Sequence, residues 1–315
     1  MYIYILFALI ASIFTSLTTI LAKVGIKNVN SNFATCFRTF IVIICSLILC
    51  LIQDTFKETV KFNYINIIFI ILSSIATFLS WIFYYKALKI GEVSKVVAID
   101  KCSFVLTTIL FIIFFFNDTT NNGNVFTIIS IVLSLSLMIA GTLLMLDLKK
   151  KKDINIESNS EFKYKKKYII YALLSAIFAS LVSLFIKIGL NNISSSILTF
   201  YRTILVFIFA LIIVIVKKDY IGISKINAKS YIFLTLSGLS TGIAWISEYE
   251  ALNIPNSNPL VVSSITKLSI ILTFIVSFIF FKEKANKKTI SGVILLTLGI
   301  VLIIINDIVV KYNLI

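Results

Sequence analysis

What most limits this chain is a succession of apolar runs, each roughly 20 residues long, separated by short polar breaks. A helix rising 1.5 Å per residue needs about 20 such residues to cross a hydrocarbon core about 30 Å thick. The runs are continuously apolar, whereas the strands of a membrane barrel alternate between lipid-facing and lumen-facing residues. Composition agrees: 59% of the 315 residues are hydrophobic and 14% are charged, against about a quarter charged in soluble domains. Mean hydropathy is +1.04. The expected fold class is an all-α polytopic membrane protein. Its ten expected spans are Ile3–Ala22, Phe33–Ile52, Ile65–Phe83, Val96–Phe116, Val125–Leu146, Tyr168–Ile186, Ile197–Val216, Tyr231–Tyr249, Pro259–Phe281 and Ile290–Ile305.

The net charge of +15 does not point to nucleic acid. The lysines lie in short loops and at span ends, which is how membrane proteins encode orientation. Cys36, Cys45, Cys50 and Cys102 sit inside apolar runs without metal-ligand spacing, so they read as small core residues. Histidine is absent, which removes the commonest acid–base group and metal ligand. No cofactor, metal site or cleavable leader is expected, and an enzyme is disfavoured because no catalytic cluster is visible. The expected location is a cell membrane, of the prokaryotic cytoplasmic type, with multiple crossings.

The chain repeats itself. At an offset of 164, Lys23, Gly25, Asn28, Ser31, Thr35, Arg38 and Thr39 recur as Lys187, Gly189, Asn192, Ser195, Thr199, Arg202 and Thr203. Apolar matches between membrane helices come cheaply, but polar and glycine identities do not. The same offset carries Trp81 to Trp245 and Tyr85 to Tyr249; a two-residue insertion then pairs Lys101 with Lys267. The expected organisation is a five-helix repeat over 1–146, a basic linker over 147–167 and a second five-helix repeat over 168–315. The linker carries little apolar content to fold around.

Five spans per repeat turn the second copy upside down relative to the first. The lysines and arginines test this: the odd-numbered loops carry 21 and the opposite side carries 4. By the positive-inside rule both termini then lie outside and the linker is cytoplasmic. Inverted-topology repeats are a transporter architecture.

The segments LAKVGIKNVNSNFATCFRT, YYKALKIGEVSKVVAIDKCS and FKEKANKKTISGVILLTLGIVL resemble the EamA family of the drug/metabolite transporter superfamily. The resemblance covers the chain as two five-helix copies. It implies a secondary transporter with a central cavity between inverted repeats, lined by the first, third and fourth helices of each. Two features depart from the family pattern. The resemblance implies cytoplasmic termini, opposite to the lysine count, and the glutamate after the fourth helix is present as Glu283 but replaced by Asn117 in copy one.

Polar stripes fall on those same helices. Span 1 carries Ser12, Ser16, Thr19 and Lys23 at helical spacing, and span 6 carries Ser180, Ser183 and Lys187. Span 3 carries Ser73, Thr77, Trp81 and Tyr84; span 8 carries Ser237, Thr241, Trp245 and Glu248. Asp100, Ser103 and Thr107 on span 4 match Thr266, Ser269 and Thr273 on span 9. Single stripes of this kind serve as glue between membrane helices, but six together suit a shared aqueous cavity. Lys101 and Lys267 lie roughly 12 Å into their spans at 1.5 Å per residue, where a charge marks a pathway or pairs internally. An anionic or carboxylate ligand between them is one reading; an ion pair with Asp100, Glu248 or Glu250, or partial snorkelling of the long side chain, is the other.

The substrate-binding candidates are thus Lys101, Lys267, Asp100, Ser16, Thr19, Trp81, Tyr84, Ser180, Ser183, Trp245 and Glu248. Arg38 and Arg202 read as anchors to carbonyls or headgroups. The aromatics Trp81, Tyr84, Tyr85, Trp245 and Tyr249 suit either stacking on a substrate or an interfacial belt, the belt being the commoner use. The leading function is alternating-access secondary transport of a small polar metabolite, with the bilayer and a coupling proton or ion as further partners. The alternative is a flippase for a lipid-linked sugar or headgroup.

Overall fold

The computed structural model describes residues 3–27, 29–120, 123–145, 159–190, 192–221, 226–255, 257–280 and 287–311. Within these, the side chains of Ser94, Ala98, Lys101, Asp118, Thr119, Thr142, Met145, 159–166 and Lys311 lie outside the description. So do residues 147–158 of the expected linker and the loop carrying Glu283.

The described residues are helical almost throughout. In the first half the helices are α1 (Ile3–Gly25), α2 (Ser31–Ile52), α3 (Tyr64–Ile90), α4 (Val93–Lys101), α5 (Ser103–Phe114), α6 (Phe116–Thr120) and α7 (Val125–Met145), with a 3-10 turn at Thr55–Lys61. The second half has α8 (Asn159–Gly189), α9 (Ser195–Val216), α10 (Ala228–Asn253), α11 (Pro259–Lys267), α12 (Ser269–Phe280) and α13 (Lys287–Lys311). Among the described residues, eight helical segments are long and apolar enough to cross a membrane, with Pro259–Phe280 taken as one. The stretches at Ser103–Phe114 and Val125–Gly141 are apolar but shorter.

Local chemistry sets the helix ends. Asn30 and Asn227 each accept a backbone N–H two residues on, and Asn63 forms a reciprocal capping box with Asn66. Pro259 occupies the first turn of α11, where its missing N–H leaves no bond unmade.

Two expected spans differ from expectation in the same way. The fourth and ninth are each two helices, interrupted at Cys102 and at Leu268. Both residues keep helical dihedrals, φ −59°, ψ −17° and φ −57°, ψ −18°. Around each, the chain bonds three residues back: Cys102 to Ile99 and Val105 to Cys102, Leu268 to Ile265 and Ile271 to Leu268. A 3-10 step therefore tightens the helix by one bond. It falls directly after Lys101 in one copy and Lys267 in the other. Helix α8 begins at Asn159 and so takes in the segment 159–167 at the end of the expected linker.

The two halves interleave. α3 packs along α8, α1 along α10, α7 along α13, and α2 against α9. At one contact the start of α3 meets the end of α8, where the Asn66 amide donates to the Gly189 carbonyl at 2.9 Å. At another the end of α1 meets the start of α10, Gly25 lying against Leu234. Both helix pairs are antiparallel.

The distribution of side chains is that of a membrane protein. Large apolar residues cover the outside, Ile48 being 52% exposed and Ile129 61%, while Arg38, Arg202 and Ser237 are at 0%. Lipid solvates the outer faces, so the interior can hold the groups that bond one another.

Candidate functional site

At the centre lies a cavity of about 170 Å³. Its walls come from α1, α3, the α4–α5 junction, α8, α10 and α11, that is, from both halves of the chain. Eight expected site residues line it: Thr19, Trp81, Tyr84, Asp100, Ser183, Trp245, Glu248 and Lys267. Ser16 and Ser180 are not among the lining residues. Each is buried and donates to the carbonyl three residues back, Ile13 and Ile177, at 2.7 Å. Lys101 ends α4 at the matching place to Lys267, but its side chain lies outside the described residues.

The wall on α1 is Thr15, Thr18 and Thr19. Sequence reading picked the neighbouring stripe through Ser16, because a spacing of three or four fixes an arc on a helix without saying which arc turns inward. On α3 the Tyr84 hydroxyl sits 3.0 Å from the Thr19 hydroxyl. Asp100 accepts a 2.7 Å hydrogen bond from Ser175, which in turn lies 3.2 Å from the Ser80 hydroxyl. Lys267 is 9% exposed and lines the cavity beside Thr266. The half-buried Glu248 lines it from α10.

The aromatic belt is not where these aromatics lie. Trp81 and Trp245 face each other across the repeat boundary, with ring centroids 4.9 Å apart and planes tilted by 34°. Tyr85 packs beside the first with Tyr84 edge-on to Tyr85, and Tyr249 packs beside the second. The arginines explain the location. The Arg38 guanidinium lies 4.5 Å from the Tyr85 centroid and 5.3 Å from that of Trp81. The Arg202 guanidinium lies 4.2 Å from the Trp245 centroid and 5.4 Å from that of Tyr249. A charge this deep needs π faces and hydroxyls around it, and the rings supply the faces. The interface rule for Trp and Tyr yields to that demand.

Headgroups are likewise not the partners of the arginines. Arg38 on α2 donates through Nε to Ser237 at 2.9 Å and through Nη2 to Thr241 at 2.7 Å, both on α10. Arg202 on α9 donates through Nη2 to Thr77 of α3 at 2.9 Å. Each arginine thus reaches from its own repeat into the other. α10 approaches α2 closely enough for this because Gly238 and Gly242 carry no Cβ; one there would meet Ile41 Cβ at 2.8 Å and Cys45 Cβ at 2.9 Å.

Other expected candidates serve the frame. Lys23 donates to the carbonyls of Leu88 at 2.6 Å and Gly91 at 2.8 Å, at the end of α3. Lys187 does the same for Leu252 at 3.0 Å, at the end of α10. A cation at a helix C-terminus satisfies carbonyls left without partners and meets the negative end of the dipole. Glu250 accepts a hydrogen bond from Ser195 at the start of α9 and does not line the cavity.

An apolar exterior, helices from both halves and a polar chamber at their centre define a multi-pass membrane transporter taking a small molecule. Comparison with known proteins gives the family. The model of the EamA-like transporter family matches residues 2–140 and again 166–305, and the chain belongs to that family. A curated relative from Sinorhizobium sp, described as an uncharacterized transporter in the cobO 3' region, is 34% identical over 133 residues. That match takes in 42% of this chain and 93% of the relative. A protein of known crystal structure superposes with a TM-score of 0.69 at 11% identity, over 95% of this chain and 96% of that one. At that identity the likeness speaks for the fold alone. Membership of a transporter family argues against an enzymatic role.

Proposed function

We propose that this protein is a secondary transporter of the cytoplasmic membrane of a prokaryotic cell. It moves a small polar metabolite by alternating access between two five-helix repeats of opposite topology. The observation that carries the reading is the cavity built from equivalent helices of both halves, with charged and hydroxyl groups on its walls. The antiparallel contacts of α3 with α8 and of α1 with α10 support inversion. In a ten-span count, α4–α5 and α11–α12 are each one span interrupted after a lysine, and interrupted helices are where such transporters place their ligand sites.

Thr19, Ser183, Tyr84, Trp81, Trp245, Asp100, Glu248 and Lys267 contact the solute in this reading, with Ser16 and Ser180 behind them. Lys101 and Lys267 meet a carboxylate or other anionic group. Coupling to protons falls to Glu248 and Asp100, the carboxylates on the cavity wall. Purified protein in liposomes, given a panel of amino acids, organic acids, amines and sugar conjugates with and without a pH gradient, tests this. Gradient-driven uptake of a panel member should vanish in Glu248→Gln or Asp100→Asn while counterflow exchange persists. Gradient dependence unchanged in both variants removes the proton role. Scrambling of a labelled lipid-linked sugar, in place of soluble uptake, would assign the protein as a flippase.

A further inference from the structure

The two repeats carry the same residues in different bonds. Arg38 and Arg202 are equivalent, as are Ser237 and Ser73, and Thr241 and Thr77, each pair separated by 164. Arg38 holds both hydroxyls offered by the opposite repeat, Ser237 and Thr241. Ser237 passes the connection on, donating to the Thr18 carbonyl at 2.7 Å, so α2, α10 and α1 are linked in series. Arg202 holds Thr77 alone; its Nε and Nη1 have no hydrogen-bond partner, whereas on Arg38 only Nη1 lacks one. Ser73, which would complete the equivalent grip, instead donates to Ile70 on its own helix at 3.0 Å.

The cavity breaks symmetry in the same sense. Ile186 and Leu252, near the ends of α8 and α10, line it; their equivalents Ala22 and Leu88, near the ends of α1 and α3, do not, although all four are buried. At that second end the Thr19–Tyr84 hydrogen bond spans α1 and α3. All four of Thr19, Tyr84 and the equivalent Ser183 and Glu248 line the cavity, but among the described residues no hydrogen bond joins Ser183 to Glu248. The arginine that holds two hydroxyls therefore accompanies a cavity that reaches further toward the α8/α10 end than toward the α1/α3 end.

Resting on the alternating-access reading, we propose that Arg38 and Arg202 are a pair of exchanging bolts, positioning residues that set which end of the cavity is closed. In the state seen here Arg38 grips Ser237 and Thr241 while Arg202 holds Thr77. In the opposite state Arg202 takes Ser73 with Thr77, and Arg38 releases Ser237 and keeps Thr241. Inverted repeats exchange conformations when access switches, and the exchange conserves the number of guanidinium bonds. Losing one outright at zero exposure would add another unpaired buried donor to those the two arginines already carry, at a cost the exchange avoids. Neither state is then penalised relative to the other by the arginines, and the cavity can turn over.

The test uses the full chain in liposomes with its four cysteines replaced and one reporter at a time, Leu252→Cys or Leu88→Cys. A thiol reagent reads how often each end opens, with no substrate needed. Ser237→Ala removes a bond made only in the present state, so it should lower the ratio of Leu252→Cys to Leu88→Cys labelling by roughly three- to tenfold; Ser73→Ala should raise it by a similar factor. Arg38→Lys and Arg202→Lys, which keep the charge but lose the planar fork, should follow Ser237→Ala and Ser73→Ala respectively. Serine variants that move the ratio in the same direction, or by less than twofold, overturn the bolts while alternation at both reporters stands. A Leu88→Cys reporter that reacts in no variant, with Leu252→Cys reactive, overturns alternating access itself.

Discussion

Asp307 shows what a single buried side chain does in this frame. It is 1% exposed near the end of α13 and accepts from the Tyr4 hydroxyl at 3.1 Å and the Asn258 amide at 3.0 Å. Those bonds tie the start of α1 and the start of α11 to the end of α13. Hydrogen bonds to a charged acceptor contribute about 1.5–3 kcal/mol each, and removing the acceptor strands buried donors. Asp307→Ala should therefore lower the thermal midpoint of the purified protein clearly, and Asp307→Asn by less, since an amide oxygen still accepts. A midpoint for Asp307→Ala equal to wild type would show that the tie carries no stability. Asp307 was invisible to sequence reading because the tenth span was closed at Ile305. The arginines were visible as charges inside apolar runs, but their partners were not. Ser237, Thr241 and Thr77 lie in the other repeat, and nothing in the spacing of Arg38 or Arg202 says which helix crosses in front of them.

Among elements, the spans were the most legible feature, because a helix in lipid needs a long apolar run and leaves that run in the sequence. The one-bond 3-10 steps at Cys102 and Leu268 left no such trace, since they change neither residue type nor hydrophobicity. The cavity-facing arc of α1 was missed by one residue for a related reason: helix rotation is set by packing against α10, α11 and α12, not by the stripe itself. Close packing between helices gives the element-scale expectation. A Cβ at Gly141 on α7 would meet the backbone of α13, Gly292 O at 2.6 Å and Leu296 N at 2.9 Å. A Cβ at Gly25 would first meet the Leu234 side chain, Cδ2 at 2.8 Å and Cγ at 2.9 Å, with backbone no nearer than Leu234 N at 3.2 Å. Gly141→Ala should thus cost roughly 1–3 kcal/mol by overpacking and Gly25→Ala less. Comparing their thermal midpoints checks the order, and a reversed order would mean that α7 and α13 separate easily.

For the molecule as a whole, the lysine count of 21 against 4 predicts that the 147–167 segment is cytoplasmic and both termini lie outside. Reporter fusions within 147–167 and at Ile315 check it; a reporter in 147–167 active only outside the cell reverses the assignment. Duplication was legible because its polar identities survive at a fixed offset, and it led directly to a cavity between copies. What the repeat hid was the asymmetry of its bonding, since identical residues give no sign of which copy holds the grip. The central claim is that the solute passes through the chamber between the repeats. Ala179 lines that chamber on α8, and a cysteine there is a small change. In a background without the native cysteines, Ala179→Cys should transport normally, lose transport when modified by a thiol reagent, and react more slowly when the transported solute is present. Full modification that leaves transport intact would contradict the account.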